Sequence, residues 1–228
     1  FPTDTKGNLF KTLSKTGVPD EVINKVIYHT SQDEGKRGVG MGEVGMSLLF
    51  KNIGSSTAGK GDLSINGEEF EIKGEGIKVL GGRGGVEFDG KKYAMNQFSD
   101  VIADAYNSTE DKSEFKKVFG DILANDNRLG DSVNVLLNDI NFSDPSSIQT
   151  NIALMNFIRY ASKEGFSHFL NHDFGAKGPN TGQYIYVKGS PEAMAQQLKQ
   201  SGAKFEKLSP NNLRPRIGFG SSKVEENV

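Results

Sequence analysis

The clearest pattern along the chain is the alternation of apolar and polar positions over residues 61–74, which predicts two β-strands. Asn66-Gly67 lies between the two runs and favours a two-residue hairpin turn, because both residues tolerate a positive φ. That turn sets the register, so Asp62 should face Glu71 across the hairpin. One face is then apolar and is the expected core side, whereas the other is polar. The apolar face holds Leu63, Ile65, Phe70 and Ile72, and the polar face holds Asp62, Ser64, Glu69, Glu71 and Lys73.

Helical periodicity dominates most of the remaining chain. We expect a helix that begins at Pro19-Asp20, a short one over residues 43–52, and a loop over residues 74–85. A second hairpin is predicted with its turn at Asp89-Gly90. Further helices are predicted at residues 96–106, 112–123, 131–140 and 145–163, and another begins at Ser190-Pro191. Strands are predicted at residues 183–188, 204–208 and 214–219.

This order of elements predicts an α/β fold with a central mixed sheet flanked by helices and a helical insertion. The length of 228 residues suits a single domain, and no linker marks a boundary within it. Three parts are expected within residues 1–228: a core motif at 43–93, a helical block at about 94–165 that forms a subdomain or a cap, and a C-terminal α/β segment at 166–220.

Composition narrows the class of protein. Hydrophobic residues make up 35% of the chain, and no apolar run approaches the ~20 residues of a membrane span. We therefore expect no membrane partner and a cytoplasmic location, in a host cell or a phage particle. The absence of Cys excludes disulfides, thiolate nucleophiles and Cys-ligated zinc. The chain begins with Phe1-Pro2 rather than Met, which leaves open a preceding segment.

A net charge of −2 means that binding to a polyanion would depend on local basic patches. Two are present in the sequence. One follows the hairpin, with Lys73, Lys78, Arg83, Lys91 and Lys92, and the other is C-terminal, with Lys199, Lys204, Lys207, Arg214, Arg216 and Lys223. The candidates for phosphate contacts are Lys78 and Arg83 in the first patch and Arg214 and Arg216 in the second.

The polar face of the hairpin is the strongest candidate for chemistry. Like charges directly opposite each other destabilise a sheet, so Asp62 and Glu71 need a compensating cation. Lys73 supplies part of that charge, and a divalent metal would complete it. Carboxylate oxygens are hard ligands of the kind that Mg²⁺ prefers.

An acid early in a hairpin followed by acid-x-Lys on the next strand resembles the motif of the PD-(D/E)XK nuclease superfamily, which has the restriction-endonuclease-like fold. Asp62 matches the first acid, and Glu71-Ile72-Lys73 matches the second part. Glu43 is placed like the acid that the family often carries on the helix before the hairpin. Gly61 stands where the family motif has Pro. The resemblance covers roughly residues 42–85.

This resemblance implies a Mg²⁺-dependent DNA endonuclease, with Mn²⁺ as a substitute, in which Glu43, Asp62, Glu71 and Lys73 are catalytic. Asp62, Glu71 and the carbonyl of Ile72 would hold the metal, and Lys73 would orient or help to deprotonate the attacking water. Glu43 would act on the metal through water or position Lys73. DNA is the implied partner, and a homodimer or larger assembly is left open.

Other interpretations remain at this stage. The chain could be a catalytically silent nuclease-fold protein that serves as a DNA-binding or phage structural module, or an interaction domain whose acidic hairpin faces solvent. RNA is a further candidate substrate. His168 and His172 have the spacing that puts two rings on one helix face, and we expect an ordinary, partly buried pair there rather than a metal site.

Overall fold

The computed structural model describes residues 5–31, 53–55, 61–74, 76–80, 85–173, 182–209 and 212–217. The predicted helix over residues 43–52, with Glu43, lies outside the described residues, as does Arg83. Within the described part of the chain, no helix is both long enough and apolar enough to cross a membrane.

The described residues form both helices and strands, which occur in groups along the chain rather than in strict alternation. The helices are α1 Leu9–Lys15, α2 Asp20–Ser31, α3 Met95–Ser108, α4 Lys112–Ala124, the one-turn α5 Val133–Leu136, α6 Pro145–Glu164 and α7 Pro191–Gln200. The strands are β1 Lys6–Asn8, β2 Ile53–Ser55, β3 Leu63–Ile65, β4 Glu68–Lys73, β5 Ile77–Lys78, β6 Val86–Phe88, β7 Lys91–Tyr93, β8 His168–His172, β9 Gln183–Lys188, β10 Ala203–Ser209 and β11 Asn212–Ile217.

The central sheet has six strands in the order β1-β9-β8-β4-β3-β2. β4 and β8 pair in parallel, whereas the other four neighbouring pairs are antiparallel. A parallel pair requires a crossover, and the segment between β4 and β8 contains the long helix α6. The predicted α/β class with a central mixed sheet flanked by helices is confirmed at this level.

Both faces of the central sheet are buried. On one face, Phe70, Ile72 and Leu170 form a cluster with Leu9 and Ile23 of the first two helices. On the other face, the sheet residues Phe169, Ile185 and Val187 belong to the larger cluster, which contains residues of α3 to α7. The predicted apolar face of the hairpin is buried as expected. The prediction missed that the opposite face of the sheet also borders the main core, because α6 lies far from the hairpin in sequence.

Three short segments differ from their predicted structure, and pairing with distant strands decides two of them. The predicted loop at residues 74–85 contains β5, which pairs with β11 and joins a second, three-stranded sheet in the order β10-β11-β5. The histidine pair lies on β8 rather than on a helix, and all five residues of that strand are buried. Residues 131–140 form α5 flanked by two 3₁₀ turns instead of one continuous helix. The hairpin at Asp89-Gly90 is confirmed, with positive φ at both turn residues.

Helix α6 has strong signals at both ends. Asp144 accepts a hydrogen bond from the backbone N–H of Ser146, and Pro145 occupies the first turn, where its missing N–H costs nothing. The helix ends at Gly165, whose φ of 68° is the left-handed conformation that glycine adopts without strain. These ends fix the helix across the sheet, with Phe157 fully buried and Tyr160 at the edge of the core.

Candidate active site

The hairpin forms with the predicted register. Asn66 and Gly67 have φ values of 54° and 84°, as a type I′ turn requires, and Leu63 pairs with Phe70. One residue before β3, the N–H of Asp62 donates to the carbonyl of Phe70 at 2.7 Å. This contact is one residue out of the predicted register, in which Asp62 would face Glu71. The regular pairing therefore ends at Leu63 and Phe70, and the Asp62 carboxylate reaches the N–H of Ile72 on β4 instead.

Gly61 precedes Asp62 in a backbone conformation that favours glycine. Its φ is +56°, which the ring of proline cannot adopt. A Cβ at this position would also lie 2.7 Å from the carbonyl oxygen of Phe70. The backbone before Asp62 therefore needs glycine.

Three charged side chains converge at the end of this hairpin. The Nζ of Lys73 lies 2.5 Å from Oε1 of Glu71 and 3.1 Å from Oδ2 of Asp62. The same Oδ2 accepts the backbone N–H of Ile72 at 2.8 Å, which fixes the orientation of the Asp62 carboxylate. The side chain of Glu71 is 3% exposed, against 19% for Asp62 and 33% for Lys73. The site is thus buried at Glu71 and reaches solvent at Lys73.

Tyr160, which the sequence did not single out, completes this group. Its hydroxyl donates to Oε1 of Glu71 from α6, across 89 residues of sequence. Since the contact is long-range, the only sequence signal for it is the helical periodicity that places Tyr160 near the sheet. Both donors to Glu71 contact Oε1, which leaves Oε2 outside these contacts.

Burial and charge act against each other in this group. Burial raises the pKa of Glu71, although Lys73 and the Tyr160 hydroxyl oppose that rise. Burial also lowers the pKa of Lys73, but the neighbouring Glu71 and Asp62 outweigh it, so the net shift is upward. Burial and Glu71 raise the pKa of Tyr160. At neutral pH, Lys73 is therefore an ammonium ion and Tyr160 a hydrogen-bond donor.

Strand β8 supports the end of β4. The side-chain amide of Asn171 donates to the carbonyl of Lys73 at 2.9 Å. On the opposite face of β8, His172 lies against Gly74, where an added Cβ would meet the ring at 3.3 Å. These contacts hold the backbone on both sides of Lys73.

The donor atoms suit a hard divalent cation. Asp62 and Glu71 contribute carboxylate oxygens. The N–H of Ile72 donates to Asp62, and because the N–H and C=O of one strand residue point to the same edge of the strand, the Ile72 carbonyl is directed to that side as well. Within the described residues there is no group of three or more His, Asp or Glu side chains that could hold a metal ion. Mg²⁺ is commonly bound through one or two carboxylates with several waters retained, and Asp62 and Glu71 could hold it only in that way.

The candidate phosphate-binding residues differ in their surroundings. Lys78 is exposed on β5. Arg214 is 12% exposed, and its guanidinium lies 2.6 Å from Asp173 and donates to the carbonyl of His172. Arg216 lies 2.9 Å from Glu206 on the surface. Of these three, Lys78 is the one that could meet a phosphate without opening an ion pair.

Comparisons of the chain with protein-family models, with curated proteins and with solved structures find no match. Any assignment of function therefore depends on the chemistry of the site itself.

Proposed function

We propose that this protein is a Mg²⁺-dependent deoxyribonuclease that hydrolyses phosphodiester bonds at the hairpin site. The observation that carries the proposal is the position of Lys73 between two carboxylates, one of which is almost fully buried. A buried carboxylate is costly, and perturbed ionisable groups cluster at functional sites.

Each residue has a distinct role in this proposal. Asp62, Glu71 and the Ile72 carbonyl would hold the Mg²⁺, and Mn²⁺ could replace it. A bound Mg²⁺ supplies charge stabilisation at the phosphate and makes water more acidic. Lys73, as an ammonium ion, orients the attacking water and offsets negative charge on the phosphate. Tyr160 fixes Oε1 of Glu71, so that Oε2 is the oxygen available to the metal. Glu43 is proposed as the fourth catalytic residue.

We further propose that β2, β3, β4, α6 and β8 form a restriction-endonuclease-like core. In support, the acids and the lysine lie on one hairpin, and the helix α6 leads from it to a strand parallel to β4. DNA is the proposed partner, and Lys78, which is exposed on β5, is proposed to contact it.

One observation favours the alternative of a catalytically silent DNA-binding module. Oε1 of Glu71 already accepts from both Lys73 and Tyr160, so the buried charge has partners without a metal. Against this alternative, Lys73 is directed toward both carboxylates rather than away from them. The silent module predicts DNA binding without cleavage.

Supercoiled plasmid incubated with the protein in Mg²⁺, Mn²⁺ or EDTA tests the proposal. We expect nicking or linearisation that requires metal, is lost in Lys73→Ala and is unchanged in the matched control Lys163→Ala, whose side chain is 72% exposed on α6. Failure to cleave plasmid, branched DNA and single-stranded DNA, with binding retained, would establish the silent module instead. Cleavage that survives in Lys73→Ala would mean that the hairpin is not the centre of the reaction.

A further inference from the structure

A cavity of about 310 Å³ adjoins the candidate site and shares Lys73 and Tyr160 with it. The other residues that line it are Gly76, Ile77, Lys78, Phe169 and Asn212. Small-molecule sites in proteins have volumes of about 300–1,000 Å³, so this cavity is at the small end of that range. It can hold one group of nucleotide size and cannot hold a base pair within a duplex.

The buried walls of the cavity are apolar. Ile77 is 3% exposed and Phe169 is fully buried, and the half-buried ring of Tyr160 lies beside them. A nucleobase has two apolar faces and a polar edge, and proteins that hold an unstacked base pack its faces against apolar or aromatic side chains. These walls suit such a ring.

A side-chain amide lies in the wall of the cavity. Asn212 begins β11, where it pairs with Lys78 of β5. Its Oδ1 is buried and has no hydrogen-bond partner among the described residues. A buried polar atom without a partner is rare in folded proteins and calls for a reason. A side-chain amide offers an acceptor and two donors, which match the amino groups and ring nitrogens of a base.

Two lysines line the cavity, Lys78 with an exposed charge and Lys73 with its charge offset by Asp62 and Glu71. Lys73 connects it to the carboxylates of the candidate site, and Lys78 is exposed to solvent. A nucleotide with its base in the cavity could therefore have one phosphate near Lys78, and the next phosphate could lie near Lys73 once a metal offsets the two carboxylates. Phosphate contacts of this kind position a strand without reading its sequence.

We propose that this cavity binds one unstacked nucleobase of the substrate strand, with Asn212 at the base edge and with Lys73 and Lys78 at the flanking phosphates. That the phosphate at Lys73 is the one whose bond is hydrolysed rests on the proposed function. A base enters such a cavity only after leaving its stack, which is easiest in single-stranded, frayed or branched DNA. The inferred substrate class is therefore DNA with unpaired nucleotides.

Titration calorimetry of nucleoside 5′-monophosphates with the protein in EDTA measures their binding and tests this inference without any cleavage. We expect 2-deoxyribose 5-phosphate, which lacks the base, to bind at least about tenfold more weakly than the nucleotides, because the base supplies the stacking contacts. Asn212→Leu, which keeps the volume of the side chain but removes its polar atoms, should weaken nucleotide binding about tenfold. Lys78→Gln should weaken it about fivefold, since it removes one charge-assisted contact. Lys204→Gln, an exposed lysine on β10, is the matched control and should change nothing.

The outcomes separate this inference from the proposed function. Equal binding of the nucleotides and the sugar phosphate would overturn the inference, as would binding that is unchanged in both cavity variants. Lys78→Gln alters an exposed side chain, so it remains informative even if a thermal melt shows that Asn212→Leu is unfolded. Metal-dependent cleavage of plasmid without nucleotide binding would leave the nuclease standing and refute the cavity. Nucleotide binding without cleavage would support the cavity as a base-binding site and refute the nuclease.

Discussion

Replacing His172 with Gln is expected to flatten the dependence of stability on pH. His172 is 7% exposed on β8. Burial, together with the charge of Arg214, lowers its pKa to about 3, and Asp173 opposes this only in part. The ring is therefore neutral in the folded protein over most of the acid range, whereas the unfolded chain protonates it at an ordinary pKa of about 6.5.

The sign of the effect follows from this difference in bound protons. Between pH 6.5 and about 3 the unfolded state binds a proton that the folded state does not, so stability is lost as the pH falls. Each pH unit well inside this window is worth about 1.4 kcal/mol. Because the unfolded ring is only partly protonated at the upper end, the loss from pH 6 to pH 4.5 that is due to His172 is about 2 kcal/mol.

Urea unfolding of the native protein and of His172→Gln at several pH values measures this contribution. Gln can form hydrogen bonds but does not titrate, and other acid-sensitive groups, such as His168 with its lowered pKa, are common to both proteins and cancel in the difference. Between pH 6 and pH 4.5 the free energy of unfolding of the native protein should fall by about 2 kcal/mol more than that of His172→Gln. Parallel pH profiles would show that His172 is charged in the folded state or is accessible to water, and would refute the reasoning.

Three further substitutions test the site and its backbone. Tyr160→Phe removes a hydrogen bond to a buried carboxylate and should lower the free energy of unfolding in urea by about 1.5–3 kcal/mol; an unchanged value would mean that the hydroxyl is not bound to Glu71. Glu71→Gln should abolish cleavage and weaken Mg²⁺ binding measured by calorimetry, while circular dichroism shows that the protein stays folded. Unchanged Mg²⁺ binding would exclude Glu71 as a ligand. Gly61→Ala should lower the free energy of unfolding by about 1–3 kcal/mol more than the control Gly17→Ala does. Both glycines have a positive φ, but only at Gly61 would an added Cβ meet backbone atoms. Equal losses of stability in the two variants would show that the backbone at Gly61 relaxes away from this contact.

Local sequence was sufficient for the hairpin and insufficient for its surroundings. Asn66-Gly67 determines both the turn and the register, since few residue pairs accept a positive φ at both positions. Although the regular pairing itself ends at Leu63 and Phe70, the approach of Asp62 to the end of β4 follows from that register. The burial of Glu71 does not, because the helix that contributes Tyr160 to it is distant in sequence. His168–His172 is equally instructive: five buried residues show no alternation between core and solvent, so periodicity could not separate a strand from a helix there.

The position of Glu71 is itself an argument for function. Its neighbour on the adjacent strand, Phe169, is fully buried on the main core side, as are Ile185 and Val187, and Asn171 is a buried polar residue of the same strand that shares the face of Phe169. Apolar residues of similar volume in place of a buried ion pair are often neutral or stabilising, so a need for stability alone does not account for a carboxylate at this point. Real proteins break such packing rules chiefly at functional sites. A buried carboxylate that Tyr160 and Lys73 bind at one oxygen is what the proposed metal-binding role would use, and it is the feature that an acidic hairpin facing solvent would lack.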